Sequence, residues 1–218
     1  SREVVPAAGG PTRGGRARRR VPDGPVLGIS ADYHDSAATL VVDGRVVAAA
    51  EEERFTRLKH DPALPAEVVR WLLEEHLREA DLACVAFYSK PFPTLERILW
   101  SHGRAGFGAI GSLTKALGTW SRRKLWVQHR IESLVTKTGT RMPRLAFVEH
   151  HLSHAASAYY PSPFEEAAIV TLDGVGEWST ASIGWGRGSD LRLIREQRYP
   201  DSIGLFYTAM TTYCGFDA

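Results

Sequence analysis

His150 and His154 stand four residues apart in the run Glu149-His150-His151-Leu152-Ser153-His154-Ala155-Ala156-Ser157. On a helix that spacing puts both imidazoles on one face, where two ring nitrogens can close on a single ion. Asp173, at the end of the apolar run Ile169-Val170-Thr171-Leu172, can add an oxygen ligand. Gly174 and Gly176 follow it, and glycines there let backbone N–H groups approach an anion, as phosphate loops do. Metal and phosphate ligands this close in sequence suggest a nucleotide-handling enzyme rather than a binding module. His151 falls on a different face and reads as a residue that orients a ligand, or as a structural one. The plainer alternative for His150 and His154 is a pair of packed helix residues with satisfied nitrogens. The absence of HExxH disfavours a zincin protease, and Ser153 and Ser157 lack the surroundings of a nucleophile elbow.

The elements that must position these residues can be read from periodicity. Val26–Ser30 reads as a buried strand, Ala31–Ser36 as a tight polar connection and Ala37–Val42 as a second strand. Asp43-Gly44 is most simply a hairpin turn into a third strand, Arg45–Glu51. Pro65–Leu77 has helical spacing, with Pro65 suited to the first turn. Leu82–Tyr88 then gives a βαβ unit with a parallel sheet. Residues 91 to 140 look irregular, with a short helix over Leu95–Trp100, a glycine-rich stretch over Ser101–Gly118 and a basic amphipathic helix over Ser121–Glu132. Leu145–Val148 delivers the chain to the histidine run, and Ile169–Leu172 delivers it to Asp173. Ser179–Trp185 and Leu191–Ile194 continue a hairpin. The opening order resembles the actin-like ATPase and sugar kinase (ribonuclease H-like) architecture. Its repetition suggests two related lobes with a ligand cleft between them. The expected fold is therefore α/β, with mixed sheets. A basic tail over 1–24, too rich in Gly, Pro and Arg to order itself, precedes a first lobe over 25–165 with an irregular insertion at about 91–140. A second lobe begins at 166 and runs to 218.

Composition sets limits. A chain of 218 residues can bury a sizeable core, and 44% hydrophobic with 24% charged residues is ordinary for a globular protein. A net charge of +2 gives no reason to expect a nucleic acid partner. Cys84 and Cys214 form no CxxC pattern, which suits a reducing compartment. No apolar run is long enough for a membrane span, and the N-terminus lacks a signal-peptide core. The expectation is a cytoplasmic protein with no membrane partner.

Several separate motifs occur in order: Tyr33-His34-Asp35-Ser36-Ala37-Ala38, Ala50 through His60, His150 through Ser157, Leu172-Asp173-Gly174-Val175-Gly176-Glu177, and Ser202-Ile203-Gly204-Leu205-Phe206-Tyr207. From about Val26 to the end, the chain resembles the N-terminal part of the carbamoyltransferase family that includes the nodulation and antibiotic O-carbamoyltransferases. The resemblance implies an actin-like domain, related to the tRNA threonylcarbamoyl transferases, followed by a carbamoyladenylate-forming domain. ATP and carbamoyl phosphate would give carbamoyladenylate, and the carbamoyl group would pass to an acceptor hydroxyl. It also implies a divalent ion, iron foremost, beside the nucleotide. By position His150, His154 and Asp173 match ligands, and a further metal aspartate is expected beyond Ala218. His34 matches a histidine at the transfer site. Family members continue for hundreds of residues, so the chain is expected to be a fragment, inactive alone. Its second lobe would be incomplete, and its partners would be the missing C-terminal domain and a small-molecule acceptor.

An acceptor hydroxyl attacks poorly at neutral pH, and a histidine can take its proton. His34 is the candidate base, with Asp35 in support. Lys59 and Arg57 are candidates for binding the carbamoyl phosphate or adenylate anion. The plainer readings are that His34 caps a turn or hydrogen-bonds Asp35, and that Glu51-Glu52-Glu53-Arg54 is a solvated strand end or local ion pair. A sugar kinase of the same architecture and a degenerate non-catalytic lobe remain the competing functions. The histidine run favours carbamoyltransfer, because such kinases hold Mg²⁺ mainly through carboxylates and phosphates. Iron, zinc and manganese all suit mixed His and carboxylate ligands.

Overall fold

A computed structural model describes residues 2–3, 23–77, 81–105, 110–123 and 125–216. It divides into two compact units. The described residues of Arg18–Pro91 and Ile98–Val148 form the first, and those of Ser1–Ala17, Phe92–Arg97 and Glu149–Ala218 the second. The basic tail expected over 1–24 lies outside the described residues, apart from 23–24 and a two-residue strand β1 (Arg2–Glu3).

In the first unit, β2 (Val26–Ser30), β3 (Ala37–Val42) and β4 (Arg45–Glu51) form an antiparallel meander. β5 (Cys84–Phe87) and β6 (Arg144–Phe147) add parallel to β2, in the order β4-β3-β2-β5-β6. Three antiparallel strands followed by two parallel ones is the mixed α/β lobe that the strand pattern predicted. Alternation places Leu27, Ile29, Ala38 and Leu40 in the core. Edge strand β4 stays largely exposed.

Helix α1 (Glu53–Thr56) is a single turn, and α2 (Ala66–Trp71) runs on into a π turn over Leu72–His76. Val68, Val69, Leu72 and Leu73 recur at helical spacing and join the core of the sheet. The start of α2 is held from a distance. Glu52, only 3% exposed, accepts the backbone N–H of Glu67 on Oε1 (3.0 Å) and of Val68 on Oε2 (3.1 Å). Its carboxylate occupies the positive end of the helix. Glu52 is thus neither solvated nor part of a local ion pair.

The segment expected as an irregular insertion is helical: α3 (Pro91–Ala105), α4 (Ile110–Arg123) and α5 (Val127–Lys137). Gly103, Gly111 and Gly118 sit in open surroundings inside these helices, which tolerate them while losing propensity signal. The single helix expected over Ser121–Glu132 is two, broken between Arg123 and Val127. Val127, Ile131 and Val135 of α5 enter the first unit's core.

In the second unit β7 (Glu166–Leu172), β8 (Ser179–Arg187) and β9 (Asp190–Arg198) form an antiparallel sheet, ordered β1-β9-β8-β7. Helix α6 (His150–Tyr159) packs on it through Ala155 and Tyr159, against Ile169 and Leu193. The Tyr159 ring lies over Gly186, where a Cβ would come within 2.6 Å of it. Because α6 packs on this sheet, the chain from Glu149 onward groups with the second unit, whereas the sequence reading divided the lobes at 165/166. Helix α7 (Ile203–Tyr213) follows. Val170, Leu172, Ile183 and Ile194 of the sheet and Phe206 and Tyr207 of α7 are exposed.

Candidate metal centre

Glu149 is extended and His150 opens α6, so one helical turn carries the first and last histidine of the run. Their rings are edge to face, with centroids 4.6 Å apart. His154 Nε2 lies 3.1 Å from His150 Nε2, which lies 2.8 Å from Asp173 Oδ2. The three ligand atoms fall within 4.8 Å of one another.

Protons cannot satisfy this arrangement. An imidazole Nε2 carries either one in-plane hydrogen or one in-plane lone pair. If His150 Nε2–H donates to Asp173, it has nothing to offer His154. If it accepts from His154, it turns a lone pair on the carboxylate. One contact is unfavourable in either tautomer, whereas three lone pairs sharing one cation satisfy all of them. The donor set, two imidazoles and a carboxylate, suits iron, zinc or manganese.

Electrostatics favour the ligand forms. Burial pushes the His154 pKa down, and the neighbouring His150 adds to that, so the neutral ring is preferred. Burial alone would raise Asp173. The hydrogen bond and charge of His150, the Gly174 N–H and His154 outweigh it and hold the carboxyl below its usual range.

The Asp173 loop is built to stay put. Its N–H bonds Thr180 O at 2.9 Å, and Gly174 N–H donates to Oδ1 at 2.6 Å. Ser202 caps α7 by accepting Leu205 N–H, and its hydroxyl reaches the carbonyls of Asp173 and Gly174. Two glycines permit close approaches here. A Cβ on Gly176 would meet His150 Cδ2 at 2.8 Å and Asp173 Oδ2 at 3.2 Å, and one on Gly204 would meet Asp173 O at 2.5 Å. Gly176 thus lets the loop close on the histidine.

His151 is buried on another face, with Nδ1 2.6 Å from Thr171 Oγ1 and 3.0 Å from Ser182 Oγ. Burial and then His150 lower its pKa, keeping a neutral ring under the helix. These contacts tie α6 to β7 and β8 beneath the turn that carries His150 and His154.

Of the residues singled out in the sequence, the second unit brings together His150, His154, Asp173, Gly174, Gly176 and His151. His34, Asp35, Arg57 and Lys59 lie in the first. There His34 Nδ1 is 2.6 Å from Asp35 Oδ2, and the opposite oxygen, Oδ1, is 2.8 Å from His60 Nδ1. Arg57 and Lys59 are exposed on the same loop as His60. Asp32 holds Arg130 of α5 through both oxygens, at 2.8 and 3.0 Å. Sequence reasoning passed over His60, Ser202, Gly204 and Glu52 as individuals. Only Ser202, a serine ahead of an apolar helix, carried a local signal.

A family model described as "Carbamoyltransferase N-terminus" matches residues 25–218. An uncharacterized protein of Synechocystis sp. is 44% identical over 88% of this chain and 32% of its own length. Nodulation protein NolNO of Sinorhizobium fredii is 34% identical over 84% of this chain and 26% of its own length. The chain thus spans about a quarter to a third of the length of these two relatives. Among solved structures, YeaZ from Pseudomonas aeruginosa aligns with a TM-score of 0.37 and 17% identity, over 80% of this chain and 66% of that one.

Proposed function

As the chain belongs to the carbamoyltransferase N-terminus family, we propose that it serves as the transfer portion of an O-carbamoyltransferase, with carbamoyladenylate as donor and a small-molecule or glycan hydroxyl as acceptor. The observation that carries this reading is the convergence of His150 Nε2, His154 Nε2 and Asp173 Oδ2. That donor set does not suit a kinase holding Mg²⁺ through carboxylates and phosphates.

A divalent ion bound there would supply positive charge against the phosphate oxygens of the donor. His154 presents a neutral nitrogen, and Asp173 an ionised oxygen, beside His150 Nε2, on elements that Gly176, Ser202 and His151 support. Backbone N–H groups around Gly174 and Gly176 suit the same anion. In the first unit, His34 Nδ1–H donates to Asp35, which leaves Nε2 as the lone pair that takes the hydroxyl proton. The acceptor oxygen bonds the carbamoyl carbon, the C–O bond to the phosphate breaks, and AMP leaves with the electron pair. Arg57 and Lys59 offer charge for the anionic donor.

The test is pyrophosphate release by the full-length gene product with ATP. Release that depends on carbamoyl phosphate supports adenylate formation, and release without that dependence contradicts it.

A further inference from the structure

We propose that His60 is a positioning residue for His34, acting through Asp35. The inference rests on His34 as the proton acceptor and adds a residue with no role in the account so far.

Asp35 uses both oxygens on imidazoles: Oδ2 on His34 Nδ1 at 2.6 Å, and Oδ1 on His60 Nδ1 at 2.8 Å. A carboxylate with one such partner swings freely about its last torsion, and water competes for it. A carboxylate clamped at both oxygens has one orientation, and so does the His34 ring bonded to it. Both imidazoles then carry the proton on Nδ1, and His34 presents a bare Nε2. The hydrogen bonds from His60 and then His34 hold the Asp35 carboxyl below its usual range, so it stays an acceptor.

The clamp is exposed, yet it stands on a buried staple. The residue after Asp35, Ser36, is 1% exposed, and the residue after His60, Asp61, is 8% exposed. Ser36 donates to Asp61 O from both N–H (3.0 Å) and Oγ (2.6 Å), and Asp32 N–H donates to Pro62 O at 2.9 Å. These bonds lock the two loops in register directly beneath the pair. Glu53 Oε2 accepts the His60 N–H at 3.1 Å. Asp35 and His60 both adopt left-handed backbone, with φ of 50° and 57°, as do Asp32 and Arg57. Four non-glycine residues in that region cost free energy that two plain connecting loops would avoid.

The test reads tautomers by long-range ¹H–¹⁵N correlation on the full chain with ¹⁵N-labelled histidine, at mildly alkaline pH. No substrate is needed, so its outcome is independent of whether carbamoyl transfer is the reaction. The expected result is an Nδ1–H tautomer at both His34 and His60. His60→Ala shifts His34 toward the Nε2–H form that free side chains prefer. His60→Asn restores it, because Asn places an N–H near the Nδ1 position and tolerates left-handed backbone. An unchanged signal from His76, whose ring packs edge-on at 4.6 Å against Trp71 beside the first unit's core, certifies the fold of that unit in each variant. An Nε2–H tautomer at His34 in the unaltered chain overturns the proposal, as does a His34 signal indifferent to His60→Ala. Asp35, Glu53 and His60 also offer three ligand atoms within 4.8 Å. Loss of both Nδ1–H signals on adding stoichiometric zinc to a His150→Ala/His154→Ala chain would make the cluster a cation site and overturn the proposal too.

Discussion

His150 Nε2 and Asp173 Oδ2 approach to 2.8 Å across 23 residues of sequence, and His154 Nε2 closes on the same nitrogen from one turn along the helix. No proton arrangement satisfies both contacts, whereas a shared cation would, and that is the basis of the proposed metal site. Ser202 and Gly204 pack against the Asp173 loop, and His151 ties α6 to the sheet.

Gly176→Ala tests the fit of that loop. The added methyl must displace His150 or Asp173, since the ideal Cβ stands 2.8 Å from His150 Cδ2. Metal affinity should drop by roughly 10–100-fold, as when other supports of ligands are disturbed. Thermal melting of the metal-free chain should move little. Equal metal affinity in both chains would contradict the loop's role.

Glu52→Ala should destabilise the first unit by about 1–3 kcal/mol, because two backbone N–H groups lose a buried acceptor. Glu52→Gln should recover part of the loss, keeping one acceptor oxygen but no charge at the helix start. Chemical denaturation measures both. A Glu52→Ala chain as stable as the unaltered one would show that water replaces the carboxylate.

Much of this was legible beforehand, for a physical reason. Strands such as Val26–Ser30 and Ala37–Val42 are set by alternating burial, a local property. His150 and His154 owe their alignment to helical spacing, also local. Glu52 looked like a solvated charge because its partners, the N–H groups of Glu67 and Val68, lie across a turn. The helices between Pro91 and Lys137 were hidden by their glycines, and the break near Trp126 by continuous helical composition on either side. The boundary at Glu149 depends on which sheet α6 packs against, a tertiary choice no local pattern encodes. His60 was invisible because its meaning lies in Asp35, whose own loop precedes it by 25 residues.

Cys84 gives a dependence on pH. Burial pushes its thiol up, so the folded chain keeps the proton after the unfolded chain has lost it. With more protons bound to the folded state, stability falls as pH rises above the ordinary thiol value and is unaffected below it. Denaturant midpoints on the alkaline side should fall faster for the unaltered chain than for Cys84→Ala. Iodoacetamide should modify exposed Cys214 long before buried Cys84. Parallel midpoint curves would contradict the assignment.

Removing the buried Leu72 side chain tests the π turn's place in the core. Leu72 is fully buried in the first unit. Leu72→Ala should cost about 2–5 kcal/mol by denaturation. A cost below about 1 kcal/mol would mean that the turn is only loosely packed.

The most direct measurement is metal stoichiometry by equilibrium dialysis against iron(II), zinc and manganese, with the unaltered chain beside His150→Ala/His154→Ala and Asp173→Asn. The account predicts one ion per chain for at least one of these metals, lost in the double variant and weakened in Asp173→Asn. The same ion content in all three chains would show that these residues hold no metal, and would remove the observation on which the functional reading stands.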